Sequence, residues 1–431
     1  MGWSQDVADI AIPLLLVGSV LVYAILARRL ERLGVTAAMV FVAIGVALGE
    51  SGTGIVPVDP HAPWLLSVAE ITLALLLFSD AARLRLREVG GDPRPVGRLL
   101  FIGLPLTIVT GTLLVVAVFP SQGWAVAALI AALLAPTDAA LGAAVVSDAR
   151  VPARVRRLLN VESGLNDGLA TPLVTVLIAM VAAQAGLLGD ENWEVRALWS
   201  LTIGVLVGVV VGGGGGVVLR SSRRRGWTSP LSERVAALAL ALLSYLGATA
   251  VAANGFVAAF VGGMVLAAVF GTDAAGADLE YTETSGLLAS YLVWLAFGAA
   301  LVGPALFRAT IGTVLIAVGA LTVVRMLPVA IAMVGRGWSL PTIAFVGWFG
   351  PRGLATVIFA LIALESLGAS ALSDHLLDIA AVTVLASILA HGFSAAPLAV
   401  RYGRWASGRP ATSPELVEVA PAPQRRLDLH T

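Results

Sequence analysis

The sequence predicts an all-α protein that crosses a membrane many times, and three observations carry that prediction. Of 431 residues, 58% are hydrophobic and only 13% are charged, against roughly 25% charged in a soluble domain. Mean hydropathy is +0.93. The apolar residues fall into thirteen continuous runs, most of them near the ~20 residues that a helix needs to cross the hydrocarbon core. Continuous runs exclude a β-barrel, whose strands alternate over about ten residues. The same arithmetic excludes an ordinary soluble enzyme, a nucleic-acid binder and a disordered chain.

The runs are 8–27, 35–49, 62–79, 98–119, 122–147, 156–183, 196–219, 233–252, 255–270, 286–306, 309–334, 340–364 and 376–400. The N-terminus, residues 1–9, carries Asp6 and Asp9 and no basic residue, so it lacks the charged start of a cleavable signal and the first span is expected to stay. The second is short and needs its flanking residues. Polar breaks that separate the runs carry the arginines unevenly. Arg28, Arg29 and Arg32 follow the first span; Arg83, Arg85, Arg87, Arg94 and Arg98 follow the third. Arg150, Arg154, Arg156 and Arg157 follow the fifth, and Arg220, Arg223, Arg224, Arg225 and Arg234 follow the seventh. The alternate loops carry Glu50 and Asp59, or Asp190, Glu191 and Glu194 with Arg196 as the lone basic residue. Basic loops stay cytoplasmic, which predicts an outside N-terminus and a cytoplasmic C-terminus beside Arg401 and Arg404. One loop disagrees: 271–285, expected inside, holds Asp273, Asp278, Glu280 and Glu283 and no arginine. Residues 1–400 are expected to form the membrane domain, and 401–431 a short disordered cytoplasmic tail.

The fifth span is interrupted by Pro136-Thr137-Asp138 and the twelfth by Gly350-Pro351-Arg352-Gly353. Proline removes a backbone hydrogen bond and glycine loosens the helix, so both spans are expected to unwind in mid-membrane. With the seventh span as a linker, spans 1–6 and 8–13 become two inverted halves of six, each broken in its fifth member. Paired interruptions of this kind point to a transporter's central site. The run Gly212 to Gly216 reads as a close-packing or flexing point; it has no lysine or preceding strand to make a phosphate loop.

Charge is scarce and so informative. There are 27 basic and 27 acidic residues, for a net charge of zero. Every basic residue is an arginine, and cysteine is absent, which removes Schiff bases, thiolate chemistry and Cys-ligated metals. The densest polar group is Asn160-Val-Glu162-Ser163-Gly-Leu-Asn166-Asp167 in the sixth span. At about 100° per residue, Asn160, Ser163 and Asp167 share one stripe, while Glu162 and Asn166 face elsewhere. Asp167 and Ser163, facing Asp138 on the broken fifth span, offer hard oxygen ligands suited to a small cation such as Na⁺ or Li⁺. Their carboxylates also bind protons, so the two species compete. Glu162 is expected to pair with a buried arginine, for which Arg325 and Arg352 are the candidates. Glu70 and Asp80 read as structural or interfacial groups. No two histidines have ligand spacing, which makes a His-based metal site improbable.

These residues resemble the monovalent cation/proton antiporters, in the Na⁺/H⁺ exchanger branch of the NhaP type, over about residues 10–400. The resemblance rests on Leu75-Leu-Leu-Phe-Ser-Asp-Ala-Ala-Arg-Leu84, Pro136-Thr137-Asp138, Glu162-Ser-Gly-Leu-Asn166-Asp167, Arg325-Met-Leu-Pro328 and Gly350-Pro-Arg-Gly353, in the family's order. It implies a thirteen-helix inverted-repeat fold, a homodimer in the cell membrane, and a mobile core moving against a dimerisation domain. It implies that Asp167 is the central cation/proton carboxylate with Asn166 as partner, and that Asp138, Ser163 and the Thr137 backbone complete the ion's shell. It implies a Glu162–Arg325 ion pair, with Arg352 steadying the crossing of the broken helices. An Asn-Asp pair without lysine resembles the electroneutral branch, one cation for one proton. Ala139 stands where the family commonly has proline, and Gly164 where it has a larger apolar residue. No cofactor, enzymatic activity or nucleic-acid partner is expected. The alternatives are a K⁺/H⁺ antiporter of the same fold and, more distantly, a cation channel.

Overall fold

The computed structural model describes residues 5–83, 94–188, 192–270 and 279–417. Arg85, Arg87, Asp190, Glu191, Asp273 and Asp278, used above for orientation, lie outside the described residues. Among the described residues the regular structure is all helical. The spans are α1 (Gln5–Arg32), α2 (Ala37–Leu48), α3 (Pro63–Arg83), α4 (Arg94–Val118), α5 (Pro120–Leu133), α6 (Ala153–Gln184) and α7 (Trp193–Arg224). They continue as α8 (Pro230–Ala250), α9 (Gly255–Phe270), α10 (Glu280–Arg308), α11 (Ile311–Met333), α12 and α13 (Ala371–Ser407). The twelfth comes in two pieces, α12a (Leu340–Trp348) and α12b (Leu354–Leu367). Likewise α5 stops at Leu133 and resumes only as the single turn Ala143–Val146. Among the described residues six spans precede α7 and six follow it, each set broken in its fifth member, as the interruptions in the sequence predict.

Two sets of helices hold together by different means. In α2, α3, α7, α9 and α10, glycines let backbones touch. A Cβ on Gly45 would overlap the Leu295 carbonyl of α10, one on Gly263 the Phe78 carbonyl of α3, and one on Gly212 the Gly262 carbonyl of α9. Lipid gives apolar helices no reason to associate, so small residues and close van der Waals contact supply the cohesion. The glycine run of α7 also absorbs a π-turn at Val210–Gly214. By contrast α5, α6, α11, α12 and α13 are joined by buried polar bonds.

Two expectations are corrected at the ends of helices. First, α10 begins at Glu280 rather than 286, so Glu280 and Glu283 lie in its first turn, where carboxylates suit the positive end of the helix dipole. Glu280 pairs with Arg234 at 3.1 Å and Glu283 pairs with Arg83. Two of the four acidic residues that disagreed with the arginine rule are thus neutralised by arginines of neighbouring segments. Second, the described part of the expected tail 401–431 is structured: α13 runs to Ser407, and 410–416 turns back onto α12a, while 418–431 lie outside the described residues. In that segment Glu415 is fully buried. Its Oε1 accepts bonds from the Ser339 N–H (3.0 Å), Ser339 Oγ (2.6 Å) and Thr342 Oγ1 (2.8 Å) at the start of α12a. Arg154 of α6 donates to the Pro414 carbonyl at 2.7 Å and lies over the Trp338 ring. Composition read this stretch as a solvated tail, but one carboxylate satisfying a helix N-terminus is enough to anchor it.

Burial pushes the Glu415 carboxyl up, but the hydrogen bonds from Ser339 and Thr342 outweigh it and hold the group below its ordinary value. A carboxyl with a lowered folded pKa adds stability above its unfolded pKa and loses it as pH falls through the folded one. Glu415→Gln is therefore expected to lower the thermal midpoint in detergent at neutral pH, by the equivalent of about 1–3 kcal/mol. The gap to the parent protein should shrink as the solution is acidified. A gap that widens in acid would refute the assignment.

Candidate functional site

The site is built where the two broken helices cross. Breaking a helix inside a membrane exposes the carbonyls of one half and the N–H groups of the other, with partial charges of opposite sign. Each exposed end here meets a group of complementary charge. At the end of the first half of α5, the Ala135 and Pro136 carbonyls accept from Arg352 Nη1 at 2.7 and 3.3 Å. Arg352 has no exposed surface, and its Nη2 donates to the Ala320 carbonyl of α11 at 3.3 Å. At the N-terminus of α12b, the Leu354 N–H donates to Asp138 Oδ2 at 3.1 Å. Asp138 Oδ1 accepts from the Ala140 N–H at 2.8 Å, and the Asp138 N–H donates to the Pro351 carbonyl at 2.8 Å. Gly353 is required by this approach, because a Cβ there would overlap the Asp138 carboxylate.

Thr137, the residue left without helical bonds, is satisfied by α6. Asn166 Nδ2 donates to Thr137 Oγ1 at 2.6 Å, and the Thr137 N–H donates to Asn166 Oδ1 at 3.3 Å. Thr137 Oγ1 donates to Ser163 Oγ at 3.3 Å, and Ser163 Oγ donates to the Thr137 carbonyl at 2.5 Å. Each donor in this ring has one acceptor, as a buried polar network requires. On the other face of α6, Glu162 meets Arg325 in a bidentate pair at 2.6 and 2.7 Å, and both are almost fully buried.

Asp138, Ser163 and Asp167 line one cavity, closed on its far side by Leu73 of α3 and by Leu287 and Trp294 of α10. About 40 Å³ is open to water-sized occupants, enough for a cation with part of its hydration. Asp80 of α3 also borders it. Of the stripe read from helical periodicity, Ser163 and Asp167 line the cavity and Asn160 does not. Asn166, Thr137 and Glu162 are not among the lining residues: the first two brace the unwound strand and the third is held by Arg325. Among the described residues, no three His, Asp or Glu side chains cluster as a resident metal site would require.

Sequence reasoning passed over His391 as a solitary histidine of the last span. Its ring is 1% exposed, and Nε2 lies 2.9 Å from the Trp348 carbonyl, the broken end of α12a. Nδ1 lies 3.2 Å from Ser387 Oγ, which in turn accepts from the Arg352 N–H at 2.7 Å. The available signal was the four-residue spacing of Ser387 and His391, two polar groups on one face of an apolar helix. Glu70 faces Tyr245 of α8, apart from the crossing.

Residues 16–401 match the family model described as "Sodium/hydrogen exchanger, transmembrane". The chain belongs to the sodium/hydrogen exchanger family. Among relatives in that family it is similar to the K(+)/H(+) antiporter NhaP of Alkalimonas amylolytica, with 26% identity over 406 residues, covering 92% of this chain and 67% of that protein. It is similar to the Na(+)/H(+) antiporter of Schizosaccharomyces pombe, with 24% identity over 309 residues, covering 64% of this chain and 65% of that protein. The matched regions thus span about two thirds of the length of these two relatives. Its fold is that of the sodium proton antiporter MjNhaP1 of Methanocaldococcus jannaschii at pH 8, with a TM-score of 0.76 at 19% identity, covering 92% of this chain and 99% of that one.

Proposed function

We propose that this chain is a secondary antiporter that exchanges one monovalent cation, Na⁺ or Li⁺, for one proton at Asp167. The observation that carries the reading is the meeting of Asp138, Ser163 and Asp167 in one cavity beside two crossed half-helices. Ionisable groups inside a membrane are costly and mark ion pathways. Asp167, ionised, binds a dehydrated cation with help from the Ser163 and Asp138 oxygens; a proton on Asp167 displaces it. Thr137 and Asn166 keep the ligand geometry, and movement of the polar-bonded helices against the glycine-packed ones carries the site from one face to the other.

Charge supports the stoichiometry. One cation or one proton cancels the same single negative charge of Asp167, so the two loaded forms carry equal charge and cross at similar cost. The protein is expected to act as a homodimer in the cell membrane, with an outside N-terminus and a cytoplasmic C-terminus, and to contribute to pH homeostasis.

The test is exchange in proteoliposomes. Imposed Na⁺ and Li⁺ gradients should drive a pH change that Asp167→Ala abolishes, while Asp167→Ala still purifies as a folded protein. Full activity in that variant would sink the reading. A rate that follows an imposed membrane potential, with net charge movement, would refute one-for-one exchange. The name of the Alkalimonas relative makes K⁺ the comparison cation, and exchange driven by K⁺ alone would move the assignment to a K⁺/H⁺ antiporter.

A further inference from the structure

Alternating access requires the two sets of helices to separate at one end while they close at the other. Two polar contacts that cross between the sets fasten one end. Arg308, the last residue of α10, forms a bidentate pair with Asp378 of α13, at 2.9 Å from Nε and 2.7 Å from Nη2. The Asp378 side chain is only 9% exposed, and that of Arg308 is 52% exposed. A second contact runs from Asn254 Nδ2, just before α9, to Thr175 Oγ1 of α6 at 2.9 Å. Both join a helix of the glycine-packed set to one of the polar-bonded set.

Both also lie away from the cavity in the same direction. Along α10 the cavity is lined by Leu287, Ser290 and Trp294, and at 1.5 Å per residue Arg308 lies about 27 Å beyond Ser290. Along α6, Thr175 lies about 12 Å beyond Asp167. Toward the opposite end the cavity reaches Asp80, three residues before the end of α3.

We propose that Arg308–Asp378, assisted by Asn254–Thr175, is a latch between the moving and static helices that must open whenever the site faces the Arg308 end. The proposal rests on the antiport reading above. A planar guanidinium gripping a nearly buried carboxylate by two bonds gives the closed end a defined register. Its half-exposed face lets water compete for it, so the latch can release at an accessible cost. Aliphatic residues alone would close that end without registering it.

The natural absence of cysteine allows a direct test by single-cysteine labelling with a maleimide. Leu301 lies between Trp294 and the latch, in the π-turn Gly298–Val302 of α10, and is 7% exposed, so a cysteine there reports opening of the latched end. In a Leu301→Cys background, Arg308→Ala and Asp378→Ala are each expected to raise the labelling rate about fivefold, and Thr175→Val to raise it less. The exchanged pair, Arg308→Asp with Asp378→Arg, should return the rate toward the parent value. Cysteine placed at fully buried Val145, inside the polar-bonded set, should label as slowly as before in every variant. Unchanged labelling at 301 in the single variants and in Thr175→Val overturns the latch. Faster labelling at both 301 and 145 overturns it too, as general loosening. Labelling needs no ion gradient, so a failed latch and a failed antiport assignment give different results: the second is read by the Asp167→Ala exchange assay.

Discussion

Glu162→Ala is expected to destabilise the protein by about 3–5 kcal/mol, because it leaves Arg325 as an uncompensated buried charge. Glu162 and Arg325 are 2% and 4% exposed, and their pair is bidentate. Gly350 leaves the room that the guanidinium fills, since a Cβ there would contact Arg325 Nε. The attraction between the two charges and the cost of removing them from water are both large and nearly cancel. The pair therefore fixes the register of α6 against α11 more than it adds net stability. That balance gives the prediction its shape. Glu162→Ala and Arg325→Met should each lower the thermal midpoint sharply, while the double variant Glu162→Leu/Arg325→Met should be much closer to the parent than the sum of the singles. Thermal unfolding of the four proteins in one detergent decides it; additive losses would refute the account. Exchange activity should survive in the double variant at reduced rate, since neither residue lines the cavity.

Legibility followed the physics of each interaction. Asp167 and Ser163 were legible because helical periodicity places residues on faces without reference to any partner. That Glu162 pairs with a buried arginine was legible because a buried carboxylate demands a cation; the residues left Arg325 and Arg352 both open, and only the resemblance chose Arg325. The double role of Asp138 was not legible. Its carboxylate caps α12b, and that depends on two breaks, more than two hundred residues apart in sequence, crossing in space. The same reasoning applies to Thr137 and Asn166, which the resemblance assigned to the ion and which satisfy each other in the structure. His391 was hidden because its acceptor, the Trp348 carbonyl, exists only once α12 is broken. Glu415 was hidden for a related reason: a polar tail composition says nothing of a single carboxylate that finds three donors. Local rules read faces and breaks; they do not read what fills a break from elsewhere in the chain.

Arg352→Met is expected to be the most damaging substitution at the crossing, abolishing exchange and lowering stability by about 3–9 kcal/mol, at about 1–3 kcal/mol for each of three buried acceptors left unmet. Three carbonyls depend on this guanidinium, those of Ala135, Pro136 and Ala320, and no bulk water reaches a residue with no exposed surface. A domain is typically stable by only about 5–15 kcal/mol, so the loss is a large fraction of the whole. Two causes compete. If the positive charge alone matters, by opposing the negative end of the broken α5 half-helix, Arg352→Lys should restore both folding and exchange. If the planar fork matters, lysine should restore only part, because one ammonium on a flexible stem cannot meet carbonyls on α5 and α11 in a fixed geometry. The contacts run to two different helices, which favours the fork. Arg352→Lys is expected to fold with an intermediate thermal midpoint and to exchange slowly. Full recovery by lysine would show that charge suffices and that the forked contact to α11 is incidental. The effect on exchange should exceed the effect on stability, because Gly353, the next residue, is the point where α12 meets the Asp138 carboxylate. A shift of the backbone there moves a cavity oxygen directly.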